Sequence, residues 1–153
     1  MKAIVAYLIA IAGLDAAGAI WIRYFAHGLP RTLSLVFMCA FLGGIGGALY
    51  CLRAVYLNAC VIKKWDTAWK PWYFIRPVVS HITGAMSYIF LRAGLLLLEA
   101  SPSGAATDLG FFALALIAGL NVDKFVSKIE DIAQASWGIE KYRTSKWSKT
   151  NGD

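Results

Sequence analysis

From Leu33 to Leu52 the chain runs without a single charged side chain. A helix rises about 1.5 Å per residue, so about 20 apolar residues cover the ~30 Å of a bilayer's hydrocarbon. That stretch restricts the fold more than any other feature. The chain has 153 residues, of which 59% are hydrophobic and 16% charged, against roughly 45–50% and about 25% in soluble domains. Mean hydropathy is +0.59. A water-soluble fold of this length has too little interior to hide so much apolar side chain. Intrinsic disorder is excluded, an ordinary cytosolic enzyme is not expected, and the expected class is an all-α membrane protein.

Three further segments fit the same reading. Ala3–Ile22 reaches spanning length with Asp15 as its one interruption. Lys2 and the small-residue string Ala16–Ala19 resemble a secretory leader. Asp15 breaks the apolar run, however, and Ile20-Trp21-Ile22 resumes it, so the segment is expected to stay as a helix. Pro77–Leu98 is long enough but carries His81 and Arg92. Leu109–Val122 is the shortest and is taken as a span whose helix runs on beyond the bilayer. Beyond it, Val122, Phe125, Val126, Ile129, Ile132 and Ala133 recur at helical spacing. Asp123, Lys124, Lys128, Glu130, Asp131 and Gln134 fill the other side, the pattern of an amphipathic helix. The expected organisation is a four-helix transmembrane domain over 1–122, then an amphipathic helix and basic tail over 123–153.

The formal net charge of +6 is concentrated where it would orient such a protein. Basic residues near span ends mark the cytoplasmic side. Lys63, Lys64, Lys70 and Arg76 crowd the 63–76 connection, and Lys124, Lys128, Lys141, Arg143, Lys146 and Lys149 follow the fourth span. The 99–108 loop has none. Both termini are therefore expected inside a bacterial inner membrane, with Arg23 and Arg31 a mild violation on the outer side. In the 63–76 connection Trp65, Trp69, Trp72 and Tyr73 alternate with lysines, as in an interfacial hairpin at headgroup depth. Pro71 and Pro77 read as helix-start punctuation. Lys63, Lys64, Trp65, Trp69, Lys70 and Trp72, with Arg143, Lys146 and Lys149 in the tail, are the expected contacts to lipid or a partner. A nucleic-acid partner is not expected.

Candidate chemistry lies in the third span. At 100° per residue, His81, Tyr88, Arg92 and Glu99 fall at about 0°, −20°, 20° and 0°. Exposing an ionisable side chain to lipid costs at least about 2.5–3.5 kcal/mol, so this stripe should face a bundle interior or a wet cavity. Asp15, flanked on its own stripe by apolar residues, needs one specific partner, and Arg92 is the expected one. In the second span Ala40, Gly43, Gly44, Gly47, Ala48 and Cys51 share a face, as in helices that approach closely in lipid. The three cysteines, Cys39, Cys51 and Cys60, form no C-x-x-C and read as buried, reduced thiols. No zinc-protease, nucleophile-elbow or Walker pattern is present. No catalytic residue, metal or cofactor is expected.

Trp72-Tyr73-Phe74-Ile75-Arg76-Pro77, the run Gly84…Arg92-Ala93-Gly94-Leu95 and Leu116-Ile117-Ala118-Gly119-Leu120 resemble a pattern in small polytopic bacterial inner-membrane proteins, some associated with phage defence. The resemblance covers about half the chain and carries over no functional residue. It implies a membrane component working with a cytosolic partner. The expected function is non-enzymatic: a self-associating inner-membrane protein that anchors or signals to a cytosolic or membrane partner. Alternatives are an oligomeric ion pore lined by His81, Tyr88 and Arg92, and an accessory subunit of a larger membrane complex.

Overall fold

The computed structural model describes residues 1–25, 28–63, 67–94 and 104–138. All the described secondary structure is helical: α1 (Lys2–Phe25), α2 (Arg31–Tyr56), α3 (Lys70–Arg92), α4 (Gly104–Leu120) and α5 (Val122–Trp137). The chain divides into two compact units, Met1–Val122 and Asp123–Asp153. Three helical stretches, Lys2–Phe25, Arg31–Val61 and Lys70–Arg92, are long and apolar enough to cross a membrane. The number rises to four if Asp108–Leu120 is counted together with the helix that follows it.

Local sequence explains where most helices begin and end. Pro30 stands directly before α2, and Pro71 lies in the first turn of α3, where a missing N–H leaves no bond unmade. The end of α2 loosens into a π-turn, Leu57–Val61, closed by Ile62 N–H donating to the Leu57 carbonyl at 2.9 Å. Gly94 and Gly138 adopt φ of 73° and 66°, the left-handed conformation that closes a helix at least cost for glycine. Gly94 N–H reaches Leu91 O, and Gly138 N–H reaches Gln134 O.

The third helix corrects the sequence reading. It starts at Lys70 rather than Pro77 and ends at Arg92; residues 95–98 of the expected span lie outside the described residues. Pro77 sits inside the helix, which membrane helices tolerate where neighbouring groups satisfy the freed backbone. The supposed 63–76 hairpin is largely helical, with a 3₁₀ turn at Thr67–Trp69 leading into α3. Tyr73 and Arg76 are consequently buried. The Arg76 guanidinium lies over the Tyr50 ring at 4.8 Å and the Trp72 ring at 5.7 Å. The fourth segment is also interrupted. Its helix stops at Leu120, where Asn121 turns its N–H onto Ile117 O, and a new helix begins at Val122.

In the first unit α2 is central and packs against α1, α3 and α4, while α3 also packs on α4. One apolar cluster joins Ile4 and Leu8 of α1 to Cys51, Val55 and Tyr73. A second joins Cys39, Tyr88 and Ala115, with the Tyr88 and Phe111 rings 5.0 Å apart. Between the two clusters the main chains almost touch. A Cβ added to Gly84 would lie 2.8 Å from Gly43 Cα, and one on Gly119 would lie 2.7 Å from the same atom. Large apolar side chains also cover the outside, Ile9, Leu14, Ile20, Ile82 and Ile117 among them, while Asp15, Ser80, Thr83 and Ser87 are buried. Cys39 and Cys51 are buried as expected, but Cys60, on the π-turn, is exposed.

In the second unit, α5 carries Phe125, Ile129, Ile132 and Ala133 half-buried, with Lys124, Lys128, Asp131 and Gln134 exposed.

Candidate functional site: a carboxyl–imidazole pair between helices

The position of Asp15 follows from the amphipathic pattern of α1. Ile4, Leu8, Asp15 and Ile22 are the buried residues of that helix and recur on a single stripe. Asp15 is therefore carried inward by the same face that packs on α2. Its carboxyl meets His81: Oδ1 lies 2.7 Å from Nε2, and the Asp15 side chain keeps only 7% of its surface exposed.

Helix register explains why Arg92 is not the partner. His81 is eleven residues from either end of Lys70–Arg92, and Asp15 is close to the middle of Lys2–Phe25. The contact of Tyr7 with Phe74 (ring centroids 4.7 Å apart) brings together the early turns of both helices. Asp15 and His81 thus meet at mid-length. Arg92, eleven residues further on, lies ~16 Å along the axis. Placing the helix start at Pro77 displaces α3 by seven residues, about 10 Å, and wrongly brings Arg92 level with Asp15.

The geometry fixes how many protons the pair holds. His81 Nδ1 is 2.7 Å from the Pro77 carbonyl oxygen. A carbonyl only accepts, so Nδ1 carries the hydrogen. Nε2 and Oδ1 then share one further proton, either as imidazolium and carboxylate or as imidazole and carboxylic acid. Both arrangements are neutral overall, which suits a pair with few other polar neighbours. Asp15 Oδ2 is fully buried and has no hydrogen-bond partner among the described residues. Gly44 forms the floor of the site: a Cβ there would collide with Oδ2 and with the imidazole ring. Thus one of the small residues of α2 makes room for side chains rather than for another backbone.

The other small residues divide among neighbours. Gly43 and Gly47 face Ser80 and Gly84 of α3, and Gly46, absent from the expected set, faces Leu116 and Leu120 of α4. Ala48 is buried and Ala40 half-buried. Sequence reasoning also missed the hydroxyls of Ser80, Thr83 and Ser87, although their spacing already places them on one helical face with Gly84. Ser80 Oγ lies 2.9 Å from Arg76 O and 3.1 Å from Gly119 O. Thr83 and Ser87 donate to Val79 O and Gly84 O.

The expected polar stripe of α3 is not one environment. His81 is half-buried, Tyr88 is buried and Arg92 is exposed; Glu99 lies outside the described residues. Arg92 borders a cleft with Arg31, Tyr88 and Asp108. Of the expected surface contacts, Lys63, Lys70 and Trp69 are exposed and Trp72 is half-buried. Trp69 and Trp72 meet edge-on at 6.2 Å. Lys64, Trp65, Arg143, Lys146 and Lys149 lie outside the described residues. Among the described residues, no three His, Cys, Asp or Glu side chains are grouped to hold a metal ion.

No protein family, curated protein or solved structure matches the chain.

Proposed function

We propose that this chain is a non-enzymatic, self-associating multi-pass membrane protein that holds or signals to a partner at the bacterial inner membrane. The observation that carries the reading is the exposure of His81. Its side chain is 29% exposed at mid-length of a spanning helix. In a lone bundle that imidazole edge would face hydrocarbon, where ionisable residues are costly and normally covered by protein or water. A second copy laid along the α1–α3 side covers it. Lys63, Trp69 and Lys70 are all exposed, and basic residues near span ends favour the cytoplasmic side, which supports a reading with both termini in the cytoplasm. There the exposed Lys124, Lys128, Asp131 and Gln134 of α5 offer a polar face to a soluble partner.

The test uses the full chain labelled at the exposed Cys60 and reconstituted in lipid vesicles. Energy transfer between donor- and acceptor-labelled copies is expected to persist on dilution with lipid. Replacing the polar pair together, Asp15→Leu with His81→Leu, is expected to weaken it. A chain that remains monomeric at every protein-to-lipid ratio overturns self-association.

A second reading, an oligomeric ion pore, draws support from the cleft of about 340 Å³ that Tyr88 and Arg92 border at one bundle end. Vesicles loaded with a pH dye distinguish it. A conductance altered by Arg92→Ala supports the pore, and none at any pH refutes it.

A further inference from the structure

At the bundle end where α1 and α3 finish and α2 and α4 begin, two clefts share the wall made by Arg31, Leu35 and Asp108. The larger, of about 540 Å³, adds Arg23 and Ser34 at its rim and Ile22, Met38 and Phe112 below. The smaller adds Arg92 and Tyr88. We propose that this double cleft binds an anionic amphiphile by its phosphate, and specifically the headgroup of an anionic phospholipid.

Charge is the first reason. Three guanidinium groups and one carboxylate line the two clefts, Arg23 the larger, Arg92 the smaller, and Arg31 and Asp108 both, so two positive charges among these four groups are left without a counter-charge. Arg31 engages Asp108 through Nη2 alone, at 3.1 and 3.3 Å from the two oxygens. Its remaining donors are thus open on a side chain that is 78% exposed. Arg23 and Arg92 form no ion pair with any described residue. Guanidinium forks of this kind match phosphate oxygens in pairs. Ser34 contributes a hydroxyl at the same rim.

Depth is the second reason. Arg23 and Arg92 lie in the last turns of their helices and Arg31 opens the next, which places all three at headgroup level of a spanning bundle. Trp21, Tyr24 and Phe25 are exposed on the same last turns of α1, where aromatic rings favour the membrane interface. An apolar wall below a cationic rim accommodates a molecule with a hydrocarbon part beneath its phosphate. A free phosphate would use the rim and leave that wall empty. The site also accounts for Arg23 and Arg31 on a side that positive charge normally avoids. It rests on the membrane reading but not on self-association, so a monomeric chain could still bind lipid here.

The test is native mass spectrometry of the full chain released from mixed vesicles of phosphatidylglycerol and phosphatidylcholine. The chain is expected to retain phosphatidylglycerol in about tenfold preference, a difference of ~1.4 kcal/mol. Arg92→Gln, which breaks no ion pair or hydrogen bond among the described residues, and Arg31→Gln are each expected to reduce that preference severalfold, with the helical circular dichroism unchanged. Inorganic phosphate added in excess is expected not to displace the lipid. Equal retention of both lipids, or a preference indifferent to both substitutions, overturns the proposal. Displacement by inorganic phosphate alone also overturns it, in favour of a soluble anion.

Discussion

Substitutions at Asp15 and His81 should differ sharply in cost, because the contact between them is built around a shared proton. In Asp15→Asn the amide can donate to His81 Nε2 while Nδ1 keeps its bond to the Pro77 carbonyl, 2.7 Å away. The pair stays neutral and hydrogen-bonded, and the expected cost is below ~1 kcal/mol. His81→Ala is different. Asp15 Oδ2 already lacks a partner among the described residues, so losing the imidazole strands both oxygens in a site with 7% side-chain exposure. Leaving a buried polar group unsatisfied costs about 1–3 kcal/mol. Asp15→Ala, which leaves the half-exposed His81 without its partner, should lie between the two. In the double variant Asp15→Ala with His81→Ala the losses should not add, and the coupling should be about 1–2 kcal/mol. Reversible unfolding of the purified chain in mild detergent, followed by helical circular dichroism, measures all four. The reasoning is refuted if Asp15→Asn is as damaging as His81→Ala, or if the double-variant losses sum to within about 0.5 kcal/mol.

Other outcomes follow from the packing. Gly84→Ala and Gly119→Ala put a methyl carbon 2.7–2.8 Å from Gly43 Cα, about 1 Å inside ordinary carbon contact. Each should cost roughly 1–3 kcal/mol, whereas Gly13→Ala, with nothing within 4 Å of the new Cβ, should not destabilise; the same unfolding assay ranks them. Ser80→Ala removes a hydroxyl shared by the Arg76 and Gly119 carbonyls and should cost about 1 kcal/mol. Asp108→Asn breaks an exposed ion pair and should change stability by less than ~1 kcal/mol, again read from the melting curve. A membrane-impermeant maleimide should modify Cys60 and spare Cys39 and Cys51. In sealed vesicles of known sidedness, mass-shift labelling of Cys60 also reports which face carries the π-turn.

Helix existence was legible because spanning potential is a property of composition over ~20 residues. Leu33–Leu52 needed no tertiary information. Register was less legible. Trp72–Arg76 mixes rings and charge and imitates a surface loop, and a proline at position 77 imitates a helix start. Tyr73 packs into the Ile4–Leu8 cluster and Phe74 onto Tyr7 from a segment that is helix, and the partner of Asp15 changes with it. The small-residue face of α2 was visible as a pattern, but its division among α1, α3 and α4 was not: Gly44 and Gly46 point to different neighbours, and a linear pattern does not say how many helices surround it. The Ser80, Thr83, Ser87 row could have been read from spacing alone. The grouping of Arg23, Arg31, Arg92 and Asp108 around two adjoining clefts could not, since four separate helices supply it.

The contact of Gly43 with Gly84 and Gly119 has a mechanical consequence. Where main chains touch with no side chain between them, there is no rotamer to adjust, so α2, α3 and α4 must turn or slide as one block. The first helix is held differently: its Gly18 meets the ring of Phe41, and Asp15 grips His81 through side-chain atoms. Such contacts give way by torsion. Any rearrangement of the bundle therefore falls on α1, with the carboxyl–imidazole bond as its latch, and spin labels across α1 and α3 should separate before a pair across α2 and α4.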